Sequence, residues 1–139
     1  MKIELSAGAI IIRKTKPEEV LLIRDMNGNL TFPKGLVEEH EKNNLSETAK
    51  REAMEETGIT GLTMVKPFAP IQYFYTRNGE RIRKQVQYFL FSHDGTCDLK
   101  PQKEEGISEV LWMPMDEALE RIGYSSTNKP LLEEAMKHT

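Results

Sequence analysis

The stretch Arg51-Glu52-Ala53-Met54-Glu55-Glu56-Thr57-Gly58-Ile59 decides how this chain is read. Asn44, with Glu47 three residues later, matches a capping box, and Gly58 suits the position after a helix end. A helix is therefore expected over 44–57. At about 3.6 residues per turn, Glu55 lies about 60° to one side of Glu52 and Glu56 about 40° to the other. Three carboxylates then share one face. Like charges at these spacings cost a helix roughly 0.2–0.5 kcal/mol per pair. The helix dipole disfavours anions in the last turns by roughly 0.3–1 kcal/mol each. Local rules that fail without visible compensation mark functional sites.

Two explanations fit that face. One is a solvated surface whose glutamates pair with neighbouring Lys and Arg, the usual meaning of a charge run. The other is a divalent cation. Mg²⁺ takes oxygen ligands in octahedral geometry and keeps several waters, a demand that a few carboxylates and substrate phosphates meet. The charge is concentrated here. Residues 38–56 hold seven glutamates against three basic residues, so this segment carries −4 while the remainder carries +1.

Upstream, residues 4–13 read as a strand with a continuous apolar centre, Ala9-Ile10-Ile11-Ile12. Residues 19–25 form a second, bounded by Pro17 and by Asn27-Gly28, a turn signal. Downstream, 68–76 and 82–91 flank Arg77-Asn78-Gly79-Glu80, an Asn-Gly hairpin. Residues 107–113 give a shorter strand. Pro114 opens a helix to about Ile122, and a last helix runs over 128–137. This order predicts an α/β sandwich around a mixed sheet, as a single domain over 1–139.

No apolar run reaches the length of a spanning helix. Met1–Ser6 carries Glu4 and runs into a strand pattern, unlike a signal peptide. The lone Cys97 rules out an internal disulfide and a cysteine-based zinc site. A cytoplasmic protein is expected.

Around the helix the pattern widens to Gly35, five residues, Glu41, nine residues, then the Arg51–Glu56 core, Gly58 and Ile59. This resembles the Nudix box, whose usual gap between the glutamate and the arginine is seven. The two extra residues fall in Lys42-Asn43-Asn44, before the helix, where a loop absorbs insertions. The resemblance implies a Nudix-type α/β/α sandwich and hydrolysis of a diphosphate linkage with Mg²⁺, or Mn²⁺ in its place. It implies metal binding by Glu52 and Glu56, with Glu55 as a further ligand and Gly35 adding its backbone carbonyl. Glu52 and Glu55 are both candidates for the general base. Glu41, Arg51 and Gly58 are structural. A later glutamate completes such sets, and in Lys103-Glu104-Glu105-Gly106 the choice is Glu105, with Glu104 the alternative; an ordinary loop charge would look the same.

Phe32-Pro33-Lys34-Gly35 resembles the branch acting on dinucleoside and diphosphoinositol polyphosphates. Lys84-Gln85-Val86-Gln87-Tyr88-Phe89-Leu90 is similar to a strand of asymmetric diadenosine tetraphosphate hydrolases. The resemblance implies substrate contacts from Lys34, Lys84 and Tyr88. Strand alternation puts Lys84 and Tyr88 on one face, although core packing also explains a tyrosine there. Residues 77–84 carry a local +3 that suits a polyphosphate or guards a hairpin tip. The expected substrate is diadenosine tetraphosphate, cut to ATP and AMP. Alternatives are a nucleoside triphosphate, a diphosphoinositol polyphosphate or an RNA 5′ end, the last disfavoured by a pI near 5.7. A non-catalytic nucleotide-sensing module would lose box carboxylates, and this chain keeps them. Neither a nucleic acid nor a membrane is expected as a partner.

Overall fold

The computed structural model describes residues 1–138; Thr139, the last residue of the expected domain, lies outside them. Strand β1 (Lys2–Arg13) organises the sheet. It runs parallel to β7 (Glu80–His93) along its full length, from Lys2 opposite Ile82 to Arg13 opposite His93. It pairs antiparallel with β2 (Glu19–Arg24) at its end and with β4 (Lys34–Leu36) near its middle. β2 also pairs with β3 (Leu30–Thr31) and β8 (Glu109–Pro114), while β7 takes β5 (Thr63–Pro67) and β6 (Ile71–Arg77) along its other edge. The sheet is therefore mixed.

Alternation along β1 builds two cores. Ala7, Ala9 and Ile11 face helix α1 (Leu45–Thr57), packing with Ala49, Ala53, Leu21 and Phe91. Ile10 and Ile12 face the other way, towards α2 (Met115–Arg121) and α3 (Ser125–Met136), with Leu22, Leu90 and Leu132. Helices thus cover both faces, the α/β/α sandwich expected. A strand covered on both faces needs apolar residues at every position, which explains the unbroken Ala9–Ile12 run. Among the described residues no helix is long and apolar enough to cross a membrane.

Local chemistry sets the turns. Asn78 and Gly79 adopt φ of +52° and +77°, the two consecutive positive values of a type I′ hairpin. Gly58 ends α1 at φ +81° and donates its N–H to the Met54 carbonyl at 2.8 Å. The expected capping box does not form. Asn44 precedes α1, but its side chain accepts from Ser46 Oγ at 2.7 Å. The Glu47 N–H goes to the Asn44 carbonyl instead. Ahead of the nine-residue gap stands a separate 3₁₀ turn, Glu39–Glu41, whose Glu41 carboxylate accepts the Glu38 N–H at 3.0 Å. The last helix starts at Ser125 rather than Asn128, and contains Pro130.

Gly58→Ala will lower stability by about 1–2 kcal/mol in urea denaturation, because only glycine sits at positive φ without steric cost. Space is not the reason, since the nearest atom to an added Cβ would be the Asp98 carbonyl oxygen at 3.5 Å.

Candidate active site

The site begins with one guanidinium. Arg51 grips Glu41 through Nε (2.7 Å) and Nη2 (3.0 Å), and Nη2 also donates to the Leu36 carbonyl at 2.9 Å. Nη1 donates to Glu52 and to both oxygens of Glu55, at 2.9–3.0 Å. Glu41 is buried and accepts further bonds from Thr48 Oγ1 and the Glu38 N–H. The Arg51 bonds hold its carboxyl down at about 2 against the cost of burial. The 3₁₀ turn, β4 and α1 are thereby tied together despite the two extra residues.

Three carboxylates converge beside this hub. Oxygens of Glu52, Glu56 and Glu105 all lie within 4.8 Å of one another. Glu52 lies against Gly35: a Cβ there would overlap its carboxylate, so only glycine leaves it room. Burial raises the Glu52 carboxyl above its ordinary value. Glu56 is pushed up to about 8, first by burial and then by the charges of Glu52 and Glu105. The Lys34 N–H (3.3 Å) and ammonium offset this only in part. Glu105 arrives on a second 3₁₀ turn, Lys103–Glu105. Its loop is stitched to the end of α1: Lys100 and Gln102 donate their N–H groups to the carbonyls of Thr57 (2.8 Å) and Glu56 (3.2 Å). These contacts occupy carbonyls that the helix end leaves without partners.

A cavity of about 660 Å³ lies beside Glu56 and Glu105, on the α3 side of the sheet. Thr31, Phe32, Lys34, Tyr73, Tyr88 and Asn128 line it together with these two glutamates. Phe32 and Tyr88 meet edge to face, with ring centroids 5.7 Å apart. The Tyr88 ring covers Gly8, where a Cβ would sit 2.5 Å from its Cε1. Tyr73 is exposed. Burial and the neighbouring Lys84 charge lower the pKa of the Lys34 ammonium.

The sequence-derived residues divide accordingly. Glu52, Glu56 and Glu105 come together, with Gly35 beneath, and Glu104 stays outside the trio. Glu55 also lies outside it, held by Arg51. Lys34 and Tyr88 line the cavity; Lys84 does not, because its ammonium pairs with Glu4 at 2.9 Å. Alternation along β7 splits the basic hairpin between the two faces. Arg77 pairs with Glu4, and Arg81 stacks over Phe74 at 5.1 Å. Asn128 escaped the sequence reading. It is buried in the wall, and its Nδ2 donates to Thr31 Oγ1 (3.1 Å) and the Gly123 carbonyl (2.9 Å). Asn128 and Thr31 stand ninety-seven positions apart, which leaves no local pattern to read.

Residues 2–135 match the NUDIX domain family. The structure is similar to the binary complex of a C. elegans Ap4A hydrolase, with a TM-score of 0.77 and 25% identity over 97% of this chain and 96% of that one. It also resembles the E. coli dihydroneopterin triphosphate pyrophosphohydrolase, with a TM-score of 0.77 and 16% identity over 100% of both chains. A third likeness is the NUDIX domain of Shewanella oneidensis NrtR complexed with ADP ribose, at a TM-score of 0.70 and 18% identity over 99% and 88%. At 16–18% identity the last two speak for the fold alone.

Glu41→Ala will cost about 3–5 kcal/mol in chemical denaturation, the usual result of stranding one partner of a buried ion pair. The exposed Glu39→Ala will stay within about 0.5 kcal/mol of the parent. Metal-free protein will lose stability as pH rises from 4.5 towards 8. Folded Glu56 keeps its proton to about 8, whereas the unfolded group releases it near 4.5, so the folded state binds more protons across that window. Thermal denaturation in chelator at pH 5 and pH 8.5 measures this, and Glu56→Gln should flatten the difference.

Proposed function

The chain belongs to the NUDIX family, and from that premise we propose that it is a Mg²⁺-dependent hydrolase that cuts diadenosine tetraphosphate to ATP and AMP. The family and the structural relatives make it a Nudix hydrolase of a nucleotide derivative. The observation that carries the substrate choice is that Glu56 and Glu105 of the acidic trio line an aromatic-walled cavity together with Lys34.

The residues fit a divalent cation. Their donors are all carboxylate oxygens, the ligands Mg²⁺ takes. The Glu56 carboxyl is raised first by burial and then by the charges of Glu52 and Glu105, which Lys34 only partly offsets, and a bound cation would relieve both. Glu52, Glu56 and Glu105 would hold the ion, with the Gly35 carbonyl beside them. When bound, it would neutralise phosphate oxygens and acidify the attacking water.

The protein's own groups supply the rest. A cavity of this volume lies within the range of roughly 300–1,000 Å³ that takes small ligands. The exposed Tyr73 offers a base an aromatic surface, backed by the buried Phe32 and Tyr88 in the cavity wall. Lys34 lines the same cavity and its charge acts on Glu56, so its ammonium is the group to meet the phosphate chain. Lys84, neutralised by Glu4, supports the strand rather than the phosphate. We assign the water's proton to Glu52, which stands in the acidic trio, whereas Glu55 is held by Arg51. Glu55 is the second candidate, and Glu55→Gln set beside Glu52→Gln decides between them. Water attacks a phosphorus, the bridging P–O bond breaks, and the nucleotide leaves with its phosphates.

Incubation with diadenosine tetraphosphate should give equal ATP and AMP with Mg²⁺ and nothing in chelator. Glu56→Gln should lower kcat on the order of 10²–10³-fold, as does the loss of one transition-state stabiliser. Two ADP would defeat the asymmetric cut. Turnover confined to nucleoside triphosphates or inositol diphosphates would replace the substrate while keeping the chemistry.

A further inference from the structure

Three segments distant in sequence meet at the rim of the cavity: the turn 25–29, the loop 102–108, and Gly123-Tyr124 ahead of α3. Asp25 closes the turn from within, its Oδ1 accepting the N–H groups of Asn27 and Asn29 at 3.0 Å. Its Oδ2 accepts the Tyr124 hydroxyl at 2.6 Å. Tyr124 holds φ +51°, a conformation that disfavours any residue with a Cβ, and is held there where its hydroxyl meets Asp25. Beside it the Gly123 N–H donates to the Leu30 carbonyl at 2.8 Å, and a Cβ on Gly123 would lie 2.7 Å from that of Asn29. The turn is thus pinned on one flank.

Its other flank packs on the loop that carries Glu105. Met26 packs over Gly106, where a Cβ would lie 2.9 Å from Met26 Cε. Gly106 directly follows Glu105 and stands at φ +79°. The loop is anchored at its ends, by Gln102 to the Glu56 carbonyl and by Ser108 to the Arg24 carbonyl at 3.1 Å. Between these anchors the exposed Glu105 side chain takes no hydrogen bond among the described residues. Its place in the trio depends on where the loop backbone is held.

We propose that Tyr124 is a positioning residue for Glu105, acting through Asp25 and through Met26 on Gly106. The wall that receives the substrate thereby also fixes the third carboxylate of the cation site. Asp25, Met26, Tyr124 and Glu105 all line the one cavity. This inference rests on reading the trio as a divalent-cation site.

The test is Mn²⁺ binding by the whole protein, followed through the electron paramagnetic resonance signal of the free ion, without substrate or turnover. Glu105→Gln should weaken binding at least tenfold. Tyr124→Phe keeps the ring, removes the hydroxyl, and should weaken binding on the order of tenfold, as loss of an outer supporting contact does. Met26→Ala, at an exposed residue that folding tolerates, should act in the same direction. In the Glu105→Gln background neither change should weaken binding further, because the group they position is gone. Parental Mn²⁺ affinity in both Tyr124→Phe and Met26→Ala overturns the proposal. So does an equal loss from either change with and without Glu105, which would mark a general structural effect. Unchanged binding in Glu105→Gln and Glu56→Gln would instead remove the cation-site reading, and this proposal with it.

Discussion

The Arg51 guanidinium is the interaction on which the site depends. A planar fork with five N–H donors can serve several carboxylates at fixed angles, which a lysine ammonium cannot. Here it binds buried Glu41 through two bonds, closes on the Leu36 carbonyl beside Gly35, and holds Glu52 and Glu55 on its own helix. One side chain thus joins the segment before α1, the strand carrying Gly35 and Lys34, and the helix carrying the carboxylates. Without it Glu41 would be a buried anion with no cation, a cost that favours keeping the whole arrangement.

That frame lets the protein hold an unfavourable group. Glu56 is buried and faces two like charges, and its raised carboxyl records the tension. Glu52 is held against Gly35 where no other residue leaves room. The same placement gives Glu56 its reach. α1 packs on one face of the sheet and the cavity opens on the other, yet Glu56 at the helix end lines that cavity and accepts the Lys34 N–H. The glutamates destabilise their helix locally, and the fold carries that cost because of where they point.

Much of this was legible because it is local. Strand β1, the Asn-Gly hairpin and the end of α1 at Gly58 follow from alternation, turn chemistry and positive φ, which act over a few residues. The common face of Glu52 and Glu56 follows from helix geometry alone. The capping box at Asn44 was misplaced for a physical reason. Ser46 competes for the Asn44 side chain, while Glu41 takes up the reciprocal contact one element earlier. Lys84 is on the face that alternation requires, but Glu4, eighty residues away, claims its charge.

By itself the sequence determined which residues can share a helix face, where the chain must turn, and that acidic charge is concentrated in one segment. Only the tertiary structure decided which carboxylates meet. Glu105 joins Glu52 and Glu56 while adjacent Glu104 does not, and Glu55, on the same face, goes to Arg51. It also decided that Tyr124 and Asn128 wall the cavity. The reason is range. Periodicity and propensity act over a turn or two of chain, whereas charge pairing and cavity walls are chosen among groups that folding alone brings within a few ångströms.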